Sequence, residues 1–415
     1  MNTLALAQKE RALAAQHLQQ RDYFSAIAAY QRARALYPET SPEDALLTHE
    51  RAQLEYHLGF SLQQTNQMKE AREAYQNAEA LFHQSQQIAP SYAARVNAAM
   101  TAQNLSVVTH DLYELQASLD ASKRGLLLYQ ELFDEGYVEH LVGIAWMQHH
   151  LATALWYDQQ KEAAIQEELR AVRFFTELVR EWRRADLAHA LEAATFNLKS
   201  MGGDQNTETS SPKFQEASQL YQKSLTATQR GDLAAAKLIL LTAQDAFAAL
   251  LQEEFLEETA RMVAVINNHL GVLAIEAESL SEATECFLFA KEVLEELRQK
   301  FQRFDVIELL ALVEHNLADM HRAQSKHQEA LSGYERSQHT REALLTRANR
   351  LDLLDVYALS QYNAGICLFQ LGEKAQAIRL HEAAKQNYQG LIAKGRVDLN
   401  HHLQTIDKNL AAMSA

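Results

Sequence analysis

The side chains most able to do chemistry in this 415-residue chain are its 17 histidines, and one of them stands in a suggestive setting. His315, Asp319 and Arg322 are spaced i, i+4 and i+7, which puts an imidazole, a carboxylate and a guanidinium on one face of a helix. Such a trio could move a proton, but on a polar helical face it is more often a hydrogen-bonded or solvated cluster. The adjacent pairs His149-His150 and His401-His402 invite a metal ion. Neighbouring residues on a helix point about 100° apart, however, and do not share one ion easily. No phosphate-cradling glycine loop, nucleophile elbow or zinc-type Cys/His spacing occurs. The expectation is a protein that is not an enzyme, with no catalytic residue, no metal and no cofactor; a hydrolase or metal enzyme is the least favoured class.

The elements that carry these residues are helices. Glycine (13) and proline (4) are scarce, and Ala, Leu, Gln and Glu, which lose least on entering a helix, dominate. An all-α fold follows. With 39 basic against 54 acidic residues the net charge is −15, which disfavours nucleic acid and favours a neutral or basic protein partner. The two cysteines, Cys286 and Cys367, sit in helical stretches among small or apolar neighbours and suggest no disulfide framework. Lys9, Glu10 and Arg11 interrupt the stretch a signal peptide would need, and no run of 18 uninterrupted apolar residues occurs. A soluble, cytoplasmic chain without membrane contact is expected.

A repeat organises the helices. His57-Leu58-Gly59, Asn104-Leu105-Ser106, His150-Leu151-Ala152 and Asn197-Leu198-Lys199 recur at spacings of 47, 46 and 47. His269-Leu270-Gly271, Asn316-Leu317-Ala318, Asn363-Ala364-Gly365 and Asn409-Leu410-Ala411 recur at 47, 47 and 46. Fourteen residues after each polar anchor of a complete unit comes a small residue, then a usually large one at +4 and a mostly small one at +7. Ala71-Tyr75-Ala78, Ala283-Phe287-Ala290, Ala330-Tyr334-Ser337 and Ala377-His381-Ala384 show the pattern; Ser118-Ser122-Gly125 and Ala164-Glu168-Ala171 are weaker copies. Counting back from Ala26 and Ala236 places the first anchors at Ala12 and Gln222. The spacing predicts antiparallel helical hairpins in which a small residue on one helix faces a small residue on the other, with the large residue filling the groove beside them. Stacking such hairpins buries faces that none could bury alone.

Residues 202–211 carry no apolar side chain and Pro212 follows, so they read as a linker. The expected organisation is an array over 1–201, a polar linker over 202–212 and a second array over 213–415. Each array has four hairpins and a capping helix. Anchors match across the linker at offsets of 212 or 213, the mark of internal duplication. A further recurrence, Arg184-Ala-Asp186, Arg303-Phe-Asp305, Arg350-Leu-Asp352 and Arg396-Val-Asp398, places an Asp 11 residues before each Asn, where it should be the N-cap or a first-turn residue of a helix.

Leu58-Gly59 with Ala71, Tyr75 and Ala78, and Ala26, Tyr30, Ala33 and Pro38, resemble the tetratricopeptide repeat. The period of 45 to 47 exceeds that family's usual ~34 and is similar to long-repeat arrays of the kinesin-light-chain kind. HEAT and armadillo arrays share the period but not these pairings. The resemblance implies an α-solenoid of eight hairpins whose first helices line a concave groove. The residue before each polar anchor would point into that groove: Arg11, Tyr56, Gln103, His149, Phe196, Tyr221, Asn268, His315, Tyr362 and Lys408. Trp156, Arg322 and Phe369 lie one turn further along. Rings and amides along a groove suit an extended peptide or a partner helix. The basic clamp that chaperone-binding members use for a C-terminal carboxylate is replaced here by Tyr56, Gln103 and His149. The implied function is a protein-interaction scaffold; the alternative is a peptide-responsive sensor resembling bacterial pheromone receptors, whose usual N-terminal output domain would have to precede a repeat that begins within about ten residues of Met1.

Overall fold

The structure is a computed structural model, and it describes residues 3–38, 44–203, 211–253, 257–300 and 306–414. Among them are eighteen α-helices and no strand. The chain divides into two compact units, Met1–Asp204 and Gln205–Ala415.

In the first unit α1 (Thr3–Gln19) packs on α2 (Tyr23–Leu36), α3 (Ala45–Gln64) on α4 (Met68–Ile88), α5 (Tyr92–Asp111) on α6 (Leu115–Asp134) and α7 (Leu141–Tyr157) on α8 (Lys161–Arg180). Helix α9 (Ala188–Ser200) closes the unit against α8. The second unit repeats the order with α10 (Pro212–Gln229), α11 (Leu233–Glu253), α12 (Glu257–Glu276), α13 (Leu280–Lys300), α14 (Ile307–Ala323), α15 (His327–Arg347), α16 (Leu354–Gln370) and α17 (Lys374–Ala393), closed by α18 (Asn400–Ser414). Pro212 is the first residue of α10 rather than the last of a linker. Its missing N–H costs nothing there, and Ser211 caps the helix by accepting from the Phe214 N–H.

Each first helix ends in a short turn through a left-handed residue. At α3 this is Asn66 (φ 61°), with the Gln67 N–H closing on the Leu62 carbonyl at 2.9 Å, a Schellman-type stop that reverses the chain into α4. The close approach of the two helices is then made by a small residue beneath a large one. A Cβ added to Gly59 would stand 2.9 Å from the Tyr75 ring, and one added to Gly271 would stand 2.6 Å from the Phe287 ring. The glycine two residues after the anchor thus makes room for the ring sixteen residues later, and Gly365 does the same for His381. Small residues also face one another, a Cβ added to Gly333 standing 2.9 Å from the Cβ of Ala318 and one added to Gly365 standing 3.3 Å from the Ala377 carbonyl oxygen.

The Arg-x-Asp segments place their Asp in a first turn, as one of the two expectations had it, but not as an N-cap. The three that are described form 3-10 turns, Ala185–Leu187, Leu351–Leu353 and Val397–Leu399, ahead of α9, α16 and α18. Their Asp side chains engage the Arg two residues earlier instead of capping the helix; Arg184 donates to both oxygens of Asp186 at 2.8 and 2.7 Å. Arg350 and Arg396 reach on to Glu308 and Asp355 of the preceding repeat, at 2.9 and 3.3 Å. The motif thus joins repeats. Asp305 lies outside the described residues.

One stretch, Leu233–Gln252, is long and apolar enough to cross a membrane, with a mean hydropathy of 1.5. Lys237 and Asp245 interrupt it, which is why a search for an unbroken apolar run passes over it. In the structure it lies within α11, whose Ala236, Leu240, Ala243, Phe247 and Leu250 are buried in a core shared with α10 and α12.

Candidate functional site

First helices of neighbouring hairpins touch directly, α3 with α5, α5 with α7 and α14 with α16. What joins them is a recurring hydrogen bond, one repeat long, between the residue before an anchor and the next anchor. Asn104 donates to the Tyr56 hydroxyl at 3.3 Å, Asn316 to the Asn268 carbonyl oxygen at 2.9 Å and Asn409 to the Tyr362 hydroxyl at 3.0 Å. Tyr221 Oη lies 3.0 Å from His269 Nδ1 with the two rings stacked. Burial alone pushes the His269 imidazole below its ordinary pKa, which suits a neutral ring in this role.

Tyr56, Tyr221, Asn268 and Tyr362 therefore sit between repeats rather than offering all of their polar atoms outward. Asn268 is 3% exposed and Tyr221 9%. Gln103 accepts from the Tyr129 hydroxyl at 3.0 Å, and Arg11 donates to Gln53 at 3.4 Å while facing Glu50 at 3.5 Å. His149 meets Glu168 at 2.8 Å; that carboxylate is fully buried, and burial raises its pKa. Trp156 is half-buried, with Lys161 Nζ 5.5 Å from its ring. Phe196, Phe369 and Lys408 are exposed, Phe196 at 70%. Each unit thus leaves at least one of these side chains exposed.

The trio of His315, Asp319 and Arg322 is one corner of a larger network. His315 Nε2 lies 3.5 Å from Asp319 Oδ2, and its Nδ1 lies 2.8 Å from the hydroxyl of Ser360 on the next first helix. Asp319 also accepts from Tyr334 and, at 3.1 Å, from Asn363; Arg322 donates to the Tyr334 hydroxyl at 3.2 Å. An Asp-His-Ser order has the outline of a nucleophilic triad. Its serine is 0% exposed, accepts from Arg341 at 2.7 Å and lies 3.0 Å from the Val356 carbonyl, so no substrate reaches it. The cluster cross-links α14, α15 and α16. Ser360 and Arg341 have no short-range signal in the sequence; only the 45-residue step from His315 to Ser360, close to one repeat, could have pointed to the pair.

The three histidines in anchor slots, His57, His150 and His269, pack against rings: His57 is stacked on Tyr30, His150 on Trp146 and His269 on Tyr221. Among the described residues no group of three potential metal-binding side chains converges.

No protein-family model and no curated protein matches the chain. Among solved structures it is similar to the apo form of RapI, at 13% identity and TM-score 0.33, with 81% of this chain and 98% of that one covered. It is similar to BtubC (BKLC) from P. vanneervenii at 17% identity and TM-score 0.32, covering 67% and 92%. The complex of the yeast Sti1 TPR2AB domain with pHSP90 matches at 14% identity and TM-score 0.25, covering 76% and 98%. The fold itself is read from the hairpins: a tetratricopeptide-like helical repeat.

Proposed function

We propose that the chain is a non-enzymatic protein-interaction scaffold that holds a peptide segment or a partner protein against the face formed by its first helices. The observation that carries this reading is the one-repeat hydrogen-bond series through Tyr56, Tyr221, Asn268 and Tyr362, which ties successive first helices to one another. A face fixed in this way presents its remaining side chains in a preset order, so binding would order little of the protein itself. Trp156 in the first unit and Phe369 in the second supply ring surface there. The net charge of −15 favours a neutral or basic partner. The free thiols Cys286 and Cys367 suit a reducing, cytoplasmic setting.

Fluorescence anisotropy with peptides selected from a random library against the full chain tests the reading. Trp156→Ala or Phe369→Ala should weaken the selected peptides by at least roughly tenfold, the scale of a lost aromatic contact, while leaving the thermal melt in place. Unchanged affinity in both variants would count against a first-helix binding face.

A further inference from the structure

A large residue of the second helix fills the same slot in most hairpins. In the second hairpin Tyr75 occupies it, its ring against Gly59 and its hydroxyl donating to Gln63 at 2.9 Å. In the seventh hairpin Tyr334 occupies it, and its hydroxyl accepts from Arg322, the residue equivalent to Gln63. Tyr30, Leu240, Phe287 and His381 fill the same position elsewhere, each at most 1% exposed.

In the third hairpin the position is Ser122, fully buried and too small to fill the slot that a ring occupies in the second and seventh hairpins. Counting 47 residues on from Gly59, Gln63 and Ala71 gives Ser106, His110 and Ser118; counting 46 on from Asn104 gives His150. Those four residues, with Val107 and Thr153, line a cavity of about 280 Å³ including its open mouth. Its floor, Ser106 and Ser118, is 1% exposed, while Val107, His110, His150 and Thr153 are half-buried. Two buried polar atoms on the same two helices lack hydrogen-bond partners: His110 Nδ1, on a residue of the cavity wall, and Ser122 Oγ, on a fully buried side chain behind that wall. The imidazole stands where Gln63 and Arg322 meet a phenol hydroxyl, and Tyr157 packs edge-on against it at 5.1 Å. Unpartnered buried polar atoms are costly, and a ligand that supplies the missing group recovers that cost.

We propose that this cavity receives a tyrosine side chain of the bound peptide, with its ring in the slot that Ser122 leaves empty and its hydroxyl hydrogen-bonded to His110. An aliphatic side chain would leave the imidazole unsatisfied, and a charged one would have to be desolvated against Ser106 and Ser118. The proposal rests on the peptide-binding reading above and names one side chain of its ligand.

The test uses p-cresol, the free side chain of tyrosine, and toluene, the same ring without the hydroxyl, titrated into the full chain by NMR with the histidine ring signals as reporters. Saturable binding of p-cresol at least tenfold tighter than toluene is expected. Ser122→Tyr, which fills the slot from within, should abolish that binding and raise the melting temperature. Should Ser122→Tyr fail to fold, His110→Phe should bring the two probes to equal affinity. Absence of saturable p-cresol binding, equal binding of the probes to the unaltered chain, or a hydroxyl preference that survives His110→Phe would each overturn the proposal. Because the probes need no partner, loss of the first-helix reading with p-cresol binding intact is distinguishable from the reverse.

Discussion

His315 is 5% exposed, and its pKa is pushed down to about 4, chiefly by burial and further by Arg341 and Arg322, against the pull of Asp319. The unfolded chain takes up that proton near pH 6.5 and the native chain does not, so the native state is fully favoured above about 6.5 and loses stability as pH falls towards about 4. Each pH unit in that window costs on the order of 1 kcal/mol for this one group. Thermal melts between pH 7 and 5 should fall steeply, and His315→Gln should flatten the slope; an unchanged slope in the variant would show that the ring is not sealed. His57, His150 and His269 are lowered by burial too and add to the fall in both proteins. At this scale the sequence was partly legible. The helical spacing of His315, Asp319 and Arg322 showed a shared face, but Tyr334, Ser360 and Arg341 lie 15 to 45 residues from their partners and belong to other helices. The same limit held for Tyr56 and Tyr362: spacing placed them before their anchors, while the hydrogen bonds to Asn104 and Asn409 depend on how far each hairpin turns against the next.

The hairpins of Gly59, Gly271 and Gly365 depend on what the glycine two residues after the anchor leaves free. Gly271→Ala sets a methyl 2.6 Å from Phe287, whose ring is fully buried and cannot withdraw, so the hairpin of α12 and α13 must open. Overpacking of this kind costs about 1–3 kcal/mol, which outweighs the gain of up to about 1 kcal/mol from replacing glycine in a helix. Gly390→Ala in α17 meets nothing within 4 Å and serves as the control. Urea unfolding should move Gly271→Ala to a lower midpoint and Gly390→Ala to an equal or higher one; a stabilised Gly271→Ala would contradict the close-approach account. The periodic small and large residues announced the hairpins, because only a stacked helix pair needs that pattern at that interval. Which small residue faces which large one was not readable, since facing small residues and a small residue beneath a ring give the same spacing. The Arg-x-Asp segments were legible in part for a related reason: the spacing put the Asp in a first turn, but a guanidinium two residues away takes the carboxylate that would otherwise cap the helix.

Across the molecule, two units carry the same order of helices, and both are acidic surroundings for a partner that must approach through water. The period of 45 to 47 residues was visible from end to end because it repeats the same packing problem, whereas a binding face has no period of its own and had to be inferred from the helices that line it. The hydrogen-bond series ties side chains of successive first helices to one another and supports that reading. A peptide laid on the first helices should slow their amide exchange, as contact removes the local openings that exposed helices undergo. Hydrogen–deuterium exchange of the full chain with and without the tightest selected peptide reads this helix by helix. Slower exchange in the first helices of either unit, among α1, α3, α5, α7, α10, α12, α14 and α16, is the predicted result; slowing confined to the second helices α2, α4, α6, α8, α11, α13, α15 and α17 would contradict it.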